Sequence, residues 1–203
     1  MLLYSHMTYY ERNLPHWHPP ERAIFITWRL AGSLPLSLLT KLKNSREPGN
    51  QKFAAADAYL DAGASGAHWL GNPEVAAIVQ ACILKGAQEL NMFDLFAYVI
   101  MPNHVHLLLE PKVPIQRITK GIKGASAHLT RQSTGNSPCP FWQDESFDHW
   151  VRKPAQGEKI IRYIENNPVK ARLVSNASDW RWSSAFPVAQ AFLPVRGLSA
   201  KET

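Results

Sequence analysis

The sequence predicts an α+β domain with a ferredoxin-like, split βαβ plan: an antiparallel sheet with helices on one face and a ligand on the other. Three observations carry this. The periodicities fall in the order strand, helix, strand, strand, helix, strand, helix, and strand–helix–strand–strand–helix–strand is the split βαβ order. Two apolar runs meet at Met101-Pro102-Asn103, the pattern of a tight central hairpin. Two later segments repeat apolar residues at spacings of three and four, as amphipathic helices do. A chain of 203 residues, 45% hydrophobic, suits one domain with a substantial core.

The elements follow in order. "NLPHWHPP" (13–20) holds His16 and His18 between prolines and reads as irregular. "RAIFITWRLAG" (22–32) reads as a strand and a loop. Residues from about 33 to 72 read as an insertion with short helices. "NPEVAAIVQACILKGAQEL" (72–90) has a helix's start signals: Asn72 as cap, Pro73 in the first turn and Glu74 at the positive end of the dipole. The hairpin spans about 93–110.

From 112 to about 133, Ile115, Ile118, Ile122, Ala125 and Leu129 form one apolar stripe, with Arg117, Lys120, Lys123 and Arg131 roughly opposite. Between Pro111 and Gln143 there are five Lys and Arg and no Asp or Glu. A solvated helix face usually mixes signs, so this one reads as a phosphate-binding face. A short strand is expected around Phe147 to Arg152. A last helix carries Ile160, Ile161 and Ile164 and is ended or kinked by Asn167-Pro168. The tail from about 187 to 203 reads as weakly ordered.

The net charge of +6 favours an anionic partner, with nucleic acid the first expectation. Cys82 and Cys139 lack metal-ligand spacing, which suits free thiols in a reducing cytoplasm. Neither a signal peptide nor a membrane-spanning run is apparent.

Chemistry concentrates in "YVIMPNHVHLLLEP" (98–111). Strand side chains alternate faces, so His104, His106 and Leu108 share one face, and Val105, Leu107 and Leu109 share the other. Two adjacent imidazoles on one strand face can hold a divalent metal. In the last helix Tyr163 and Asn167, four apart, share a face at the border of the apolar side.

"MPNHVHLLLEP", then "FWQDESFDHWVR", then "RYIENNPVKARLV" with "DWRWSSA", together with "YERNLPHWHPPERAIFITWRLAGSLP", resembles the REP-associated tyrosine transposases of the HUH single-tyrosine superfamily, over roughly residues 9–186. The resemblance implies a single HUH transposase-like catalytic domain over 1–203, which cuts and rejoins single-stranded DNA. By matching position it makes Tyr163 the nucleophile and His104, His106 and Asn167 ligands of Mg²⁺ or Mn²⁺. Asn167 stands where other branches have Gln, and Arg172 where many relatives have Gly. The implied partner is single-stranded or hairpin DNA from small palindromic repeats, met by a monomer or homodimer in the bacterial cytosol. Arg117, Lys120 and Lys123, with Arg152, Lys153, Lys170 and Arg172, would contact that DNA. The metal, Lys159, Arg162 or Lys170 would help Tyr163, whose ordinary pKa is about 10, to lose its proton. Two other readings compete: a non-catalytic single-strand-binding module with Trp142, Trp150, Trp180 and Trp182 as stacking platforms, and a metal-dependent nuclease that uses water.

Overall fold

The computed structural model describes residues 8–11, 15–18, 22–63, 65–135 and 138–187. The tail expected to be weakly ordered lies, from 188 onward, outside the described residues. Among the described residues no helix is long and apolar enough to cross a membrane.

A four-stranded antiparallel sheet runs in the order β4 (Phe93–Ile100), β5 (His104–Pro111), β3 (Ile24–Leu30), β6 (Trp142–Trp150). It has the antiparallel, split βαβ character expected. A separate two-stranded ribbon pairs β1 (Thr8–Glu11) with β2 (Pro15–His18). The stretch expected to be irregular around His16 and His18 is therefore a strand. Its prolines are compatible with this because Pro15 starts the strand, where a missing N–H is tolerated.

The two sheet faces have different fates. On one, Ile26, Trp28, Val105 and Leu107 pack under α3 (Pro73–Gln88) and α4 (Ile115–Thr134). On the other, Phe25, Val99 and Leu108 pack against Ile161 and Ile164 of α5 (Pro154–Lys170). The expectation of helices on one face only does not hold. The ligand face also carries α5, because Ile161 and Ile164 need an apolar partner and Leu108 and Val99 supply it. The segment from 33 to 72 holds α1 (Leu36–Asn44), α2 (Gly49–Ala62) and a 3-10 turn at Trp69–Gly71.

Local chemistry explains the boundaries. Asn72 caps α3 by accepting the Glu74 N–H at 2.9 Å, and Pro73 fills the first turn. On α4 the buried line is Ile115, Ile118, Ile122, Ser126 and Thr130. Ala125 and Leu129, expected in that stripe, are exposed. Burying a serine is tolerable here because the Ser126 hydroxyl donates to the Ile122 carbonyl and accepts the Trp142 indole N–H at 3.0 Å. β6 starts at Trp142 and ends at Trp150, earlier at both ends than expected, since it pairs with β3 along its length around a bulge at Trp28/Leu30. α5 runs two residues beyond Pro168, so Asn167-Pro168 does not end it. So near the carboxyl end, the proline removes a single backbone bond.

Gly86 of α3 faces the Phe93 ring, and a Cβ there would lie 2.9 Å from Phe93 Cε1. Phe93 is itself fully buried, so the ring has little room to yield. Although alanine is the better helix former, Gly86→Ala is expected to destabilise the fold by about 1–3 kcal/mol, as overpacking does. Urea unfolding should show a lower midpoint at an unchanged slope.

Candidate active site and metal cradle

The site begins with register. β3 pairs with β5 so that Thr27 lies opposite His106 and Arg29 opposite His104. Both imidazoles are fully buried. A buried ring nitrogen needs a partner, and each has one. His104 Nδ1 lies 2.6 Å from Asn103 Oδ1, while Asn103 Nδ2 donates to the Leu60 carbonyl at 2.9 Å. The amide oxygen therefore faces the imidazole, Nδ1–H donates to it, and His104 Nε2 keeps its lone pair. His106 Nδ1 lies 2.6 Å from Thr27 Oγ1, a hydroxyl that can serve either tautomer. Phe25 stacks on the His106 ring at 5.5 Å. The two Nε2 atoms point at each other, 3.0 Å apart.

The other wall comes from α2. Asp57 Oδ1 lies 3.3 Å from His106 Nε2, and Asp61 Oδ1 lies 3.8 Å from His104 Nε2. From α5, Asn167 Nδ2 approaches His106 Nε2 at 3.4 Å. Tyr163 donates its hydroxyl to Asp57 Oδ2, and Lys170 Nζ binds Asp61 Oδ2 at 2.7 Å. The Asp57 carboxylate thus touches both the phenol and His106, and Asp61 lies beside His104.

This arrangement fits a cation. Asp57 Oδ1, Asp61 Oδ1 and Asn167 Oδ1 are buried acceptors with no hydrogen-bond partner among the described residues. Ligand atoms of Asp57, His104 and His106 all lie within 4.8 Å of one another. A lone-pair nitrogen on His104, a second imidazole whose bond to the Thr27 hydroxyl lets its Nε2 present another, and unpaired oxygens around one point suit a divalent metal. Asp57, Asp61 and Asn103 are not among the residues the sequence singles out. An acidic residue in a helix of undistinguished pattern carries no local signal, whereas Asn103 does adjoin the histidine pair.

Burial sets the protonation states. It drives His104 well below the ordinary 6.5, with the His106 and Lys170 charges adding to it. It lowers His106 to about 3, with Lys170 contributing. Both rings are neutral near neutrality, as metal ligands must be. Burial also raises the carboxyls of Asp57 and Asp61. Tyr163 is held far above 10, first by burial, then by the charge of Asp57 and the bond to it.

The basic residues divide. Lys170 is at the cradle, and its ammonium lies over the Tyr163 ring at 5.7 Å. Arg152 and Lys153 are exposed at the start of α5, with the Arg152 guanidinium over Trp150. Arg172 is exposed just past the end of α5, at φ 58°. Arg117 and Lys120 are exposed on α4, across the sheet from the histidines. Lys123, also on α4, donates to the Gln143 and Asp144 carbonyls at 2.6 and 2.8 Å. Of the residues considered as aids to deprotonation, Arg162 pairs with Glu158 at 3.9 Å and Lys159 is exposed. Trp142 is buried, Trp150 and Trp182 pack on the core, and the Trp180 indole donates to the Ile100 carbonyl.

Residues 72–167 match the family model described as transposase IS200 like. The structure resembles that of a REP-associated tyrosine transposase bound to a REP hairpin, with a TM-score of 0.57, 20% identity, and coverage of 94% of this chain and 92% of that one. A putative transposase from Deinococcus radiodurans R1 aligns at a TM-score of 0.41, with 22% identity over 71% of this chain and 89% of that one. No curated protein matches.

Two outcomes follow from the cradle. Mn²⁺ should raise the unfolding midpoint, a stabilisation of about 2.7 kcal/mol at roughly 100 times Kd. His106→Ala should remove that gain. Asp57→Asn should stabilise the metal-free protein, by relieving a buried charge, and weaken the response to Mn²⁺. Calorimetric scans with and without the ion check both.

Acid should act through the histidines. Their folded pKa values lie below the unfolded value of 6.5, so between 6.5 and about 3 the unfolded chain binds more protons. Their contribution is thus complete above pH 6.5 and is lost as pH falls towards 3. The raised carboxyls of Asp57 and Asp61 act oppositely, favouring the fold as pH falls towards 3.8. His106→Gln should flatten the acid limb in urea midpoints measured from pH 7 to 4.

Proposed function

We propose, from the match of residues 72–167 to the model described as transposase IS200 like, that this chain cuts and rejoins single-stranded DNA beside palindromic hairpins, with Tyr163 as nucleophile. The supporting observation is convergence: the phenol and two neutral imidazoles meet at one carboxylate, that of Asp57.

His104, His106 and Asp57 would hold Mg²⁺ or Mn²⁺, with Asn167 and Asp61 offering further oxygens. When bound, such an ion polarises a phosphate oxygen and offsets the charge that repels a nucleophile. Two imidazoles suit Mn²⁺ at least as well as Mg²⁺. The chain's own residues do the rest. Thr27 and Asn103 hold the imidazoles in place through their Nδ1 atoms. Tyr163 Oη attacks phosphorus, the bond to the 3′ oxygen breaks, and a 5′-phosphotyrosine and a free 3′-OH result. The phenolic proton goes to Asp57 Oδ2, which already accepts it as a hydrogen bond, and the leaving 3′ oxygen takes a proton from solvent. Lys170, bound to Asp61 and above the Tyr163 ring, helps balance the charge. The covalent link conserves the phosphodiester, so a DNA 3′-OH reverses the attack and joins strands.

Arg152, Lys153 and Arg172 would track phosphates near α5, and Arg117 and Lys120 would do so on the far face. The whole chain acts as one catalytic domain, its insertion forming a wall of the site, in the cytosol at the nucleoid.

Tyr163→Phe removes the hydroxyl and leaves the ring packed on Phe25. It should abolish cleavage and the covalent protein–DNA adduct while hairpin binding persists. Denaturing gels of labelled DNA decide: wild-type adduct yield in the variant would sink the assignment, and cleavage without any adduct in the wild type would favour the water-using nuclease.

A further inference from the structure

Between the insertion helices and the β3–β6 half of the sheet lies a groove of about 400 Å³, a size within the range of about 300–1,000 Å³ common for ligand sites. Its lining includes Thr27 and Asp57, the residues that hold His106 and the Tyr163 hydroxyl. The groove therefore adjoins the groups that hold Tyr163 and His106.

Its lining is mixed in a particular way. Lys43 comes from α1, Lys52 from α2 and Arg29 from β3. Arg29 is half-buried, and its guanidinium meets only neutral oxygens: Ser33 Oγ at 3.2 Å and the Leu30 carbonyl at 3.4 Å. Among the described residues none of these three cations has a carboxylate partner, although Asp57 and Glu145 also line the groove. The same lining holds Phe53, stacked on Phe147 at 3.9 Å and 17°. Cations and an aromatic pair, with aliphatic walls from Leu39 and Leu42, are the elements that hold an unpaired strand: charge for the backbone and a flat face for a base.

We propose that this groove seats the unpaired DNA strand next to the scissile phosphate, with Arg29, Lys43 and Lys52 on phosphates and the Phe53–Phe147 pair against a base. The assignment rests on the reading of Tyr163 as a DNA nucleophile. A base can lie against Phe53 only when its face is not covered by stacked neighbours, as in an unpaired strand, so the groove selects single strands over duplex. It also gives the insertion a purpose: its helices supply the outer wall of the strand path.

The test is binding in metal-free buffer, by fluorescence anisotropy. The probes are a labelled hairpin carrying an unpaired thymidine tail, the same hairpin without the tail, and an acidic peptide. In the wild type the tail should strengthen binding. Lys43→Gln with Lys52→Gln should weaken the tailed hairpin about tenfold and lower its salt slope by roughly 0.7 for each phosphate left without its lysine. The blunt hairpin should bind unchanged. Phe53→Ala should also weaken the tailed hairpin but leave the salt slope alone. Both lysines are at the surface or half-buried, so the double variant should fold, and its unfolding midpoint confirms this. Wild-type affinity and slope in the lysine variant would overturn the proposal, as would equal weakening for blunt and tailed DNA, or tighter binding of the peptide than of the tail. If no adduct ever forms but the tail effect depends on the lysines, the groove stands and the nucleophile reading falls. If the adduct forms and the tail effect ignores them, the reverse holds.

Discussion

Everything at the site depends on how β3 pairs with β5. These are the two inner strands, buried on both faces, and side chains alternate across them. The pairing sets Thr27 against His106. A slip of one residue would send Thr27 to the opposite face and put Ile26 or Trp28 against the imidazole. The apolar alternation of Ile24, Ile26, Trp28 and Leu30 opposes that slip, since each would leave the core under α3 and α4. Packing on one face therefore holds the chemistry on the other.

Two buried carboxylates beside two buried imidazoles are a poor way to stabilise a fold. Desolvation disfavours each charge, and Lys170 is bound to one of the two carboxylates, that of Asp61. α2 nonetheless buries only Asp57 and Leu60 fully, with Phe53 packed on Phe25 and Phe147. Beside that aromatic contact its docking is made through polar ones: Asp57 to Tyr163, Asp61 to Lys170, and the Leu60 carbonyl to Asn103. A helix placed by such contacts suits a site that must accommodate a cation and a phosphate, and local stability there should be lower than in the sheet.

The parts of the molecule that can be read from the chain are those with strong local signals. Asn72-Pro73-Glu74 marks a helix start, and the cap is present. The alternation around His104 and His106 places both on one face with Leu108, and all three are buried there. What the chain does not disclose depends on contacts distant in sequence. Asp57 reaches Tyr163 across 106 positions. On α4, Ser126 and Thr130 take the inward line from Ala125 and Leu129, because a row with a spacing of four follows the helix axis under the sheet and Trp142 needs the Ser126 oxygen. Pro168 looks like a terminator, yet the helix is already ending on its own.

The helix that carries Tyr163 has a further consequence. α5 is joined to β6 by a short link, with the Val151 N–H bound to the Ala23 carbonyl at 2.8 Å. Tyr163 therefore meets the histidines of its own chain, and the cradle is complete in a single copy. On the proposed chemistry, one copy grips one strand end at a time. Relocating a segment, which has two ends, then requires either two copies acting side by side or one copy working through the ends in succession.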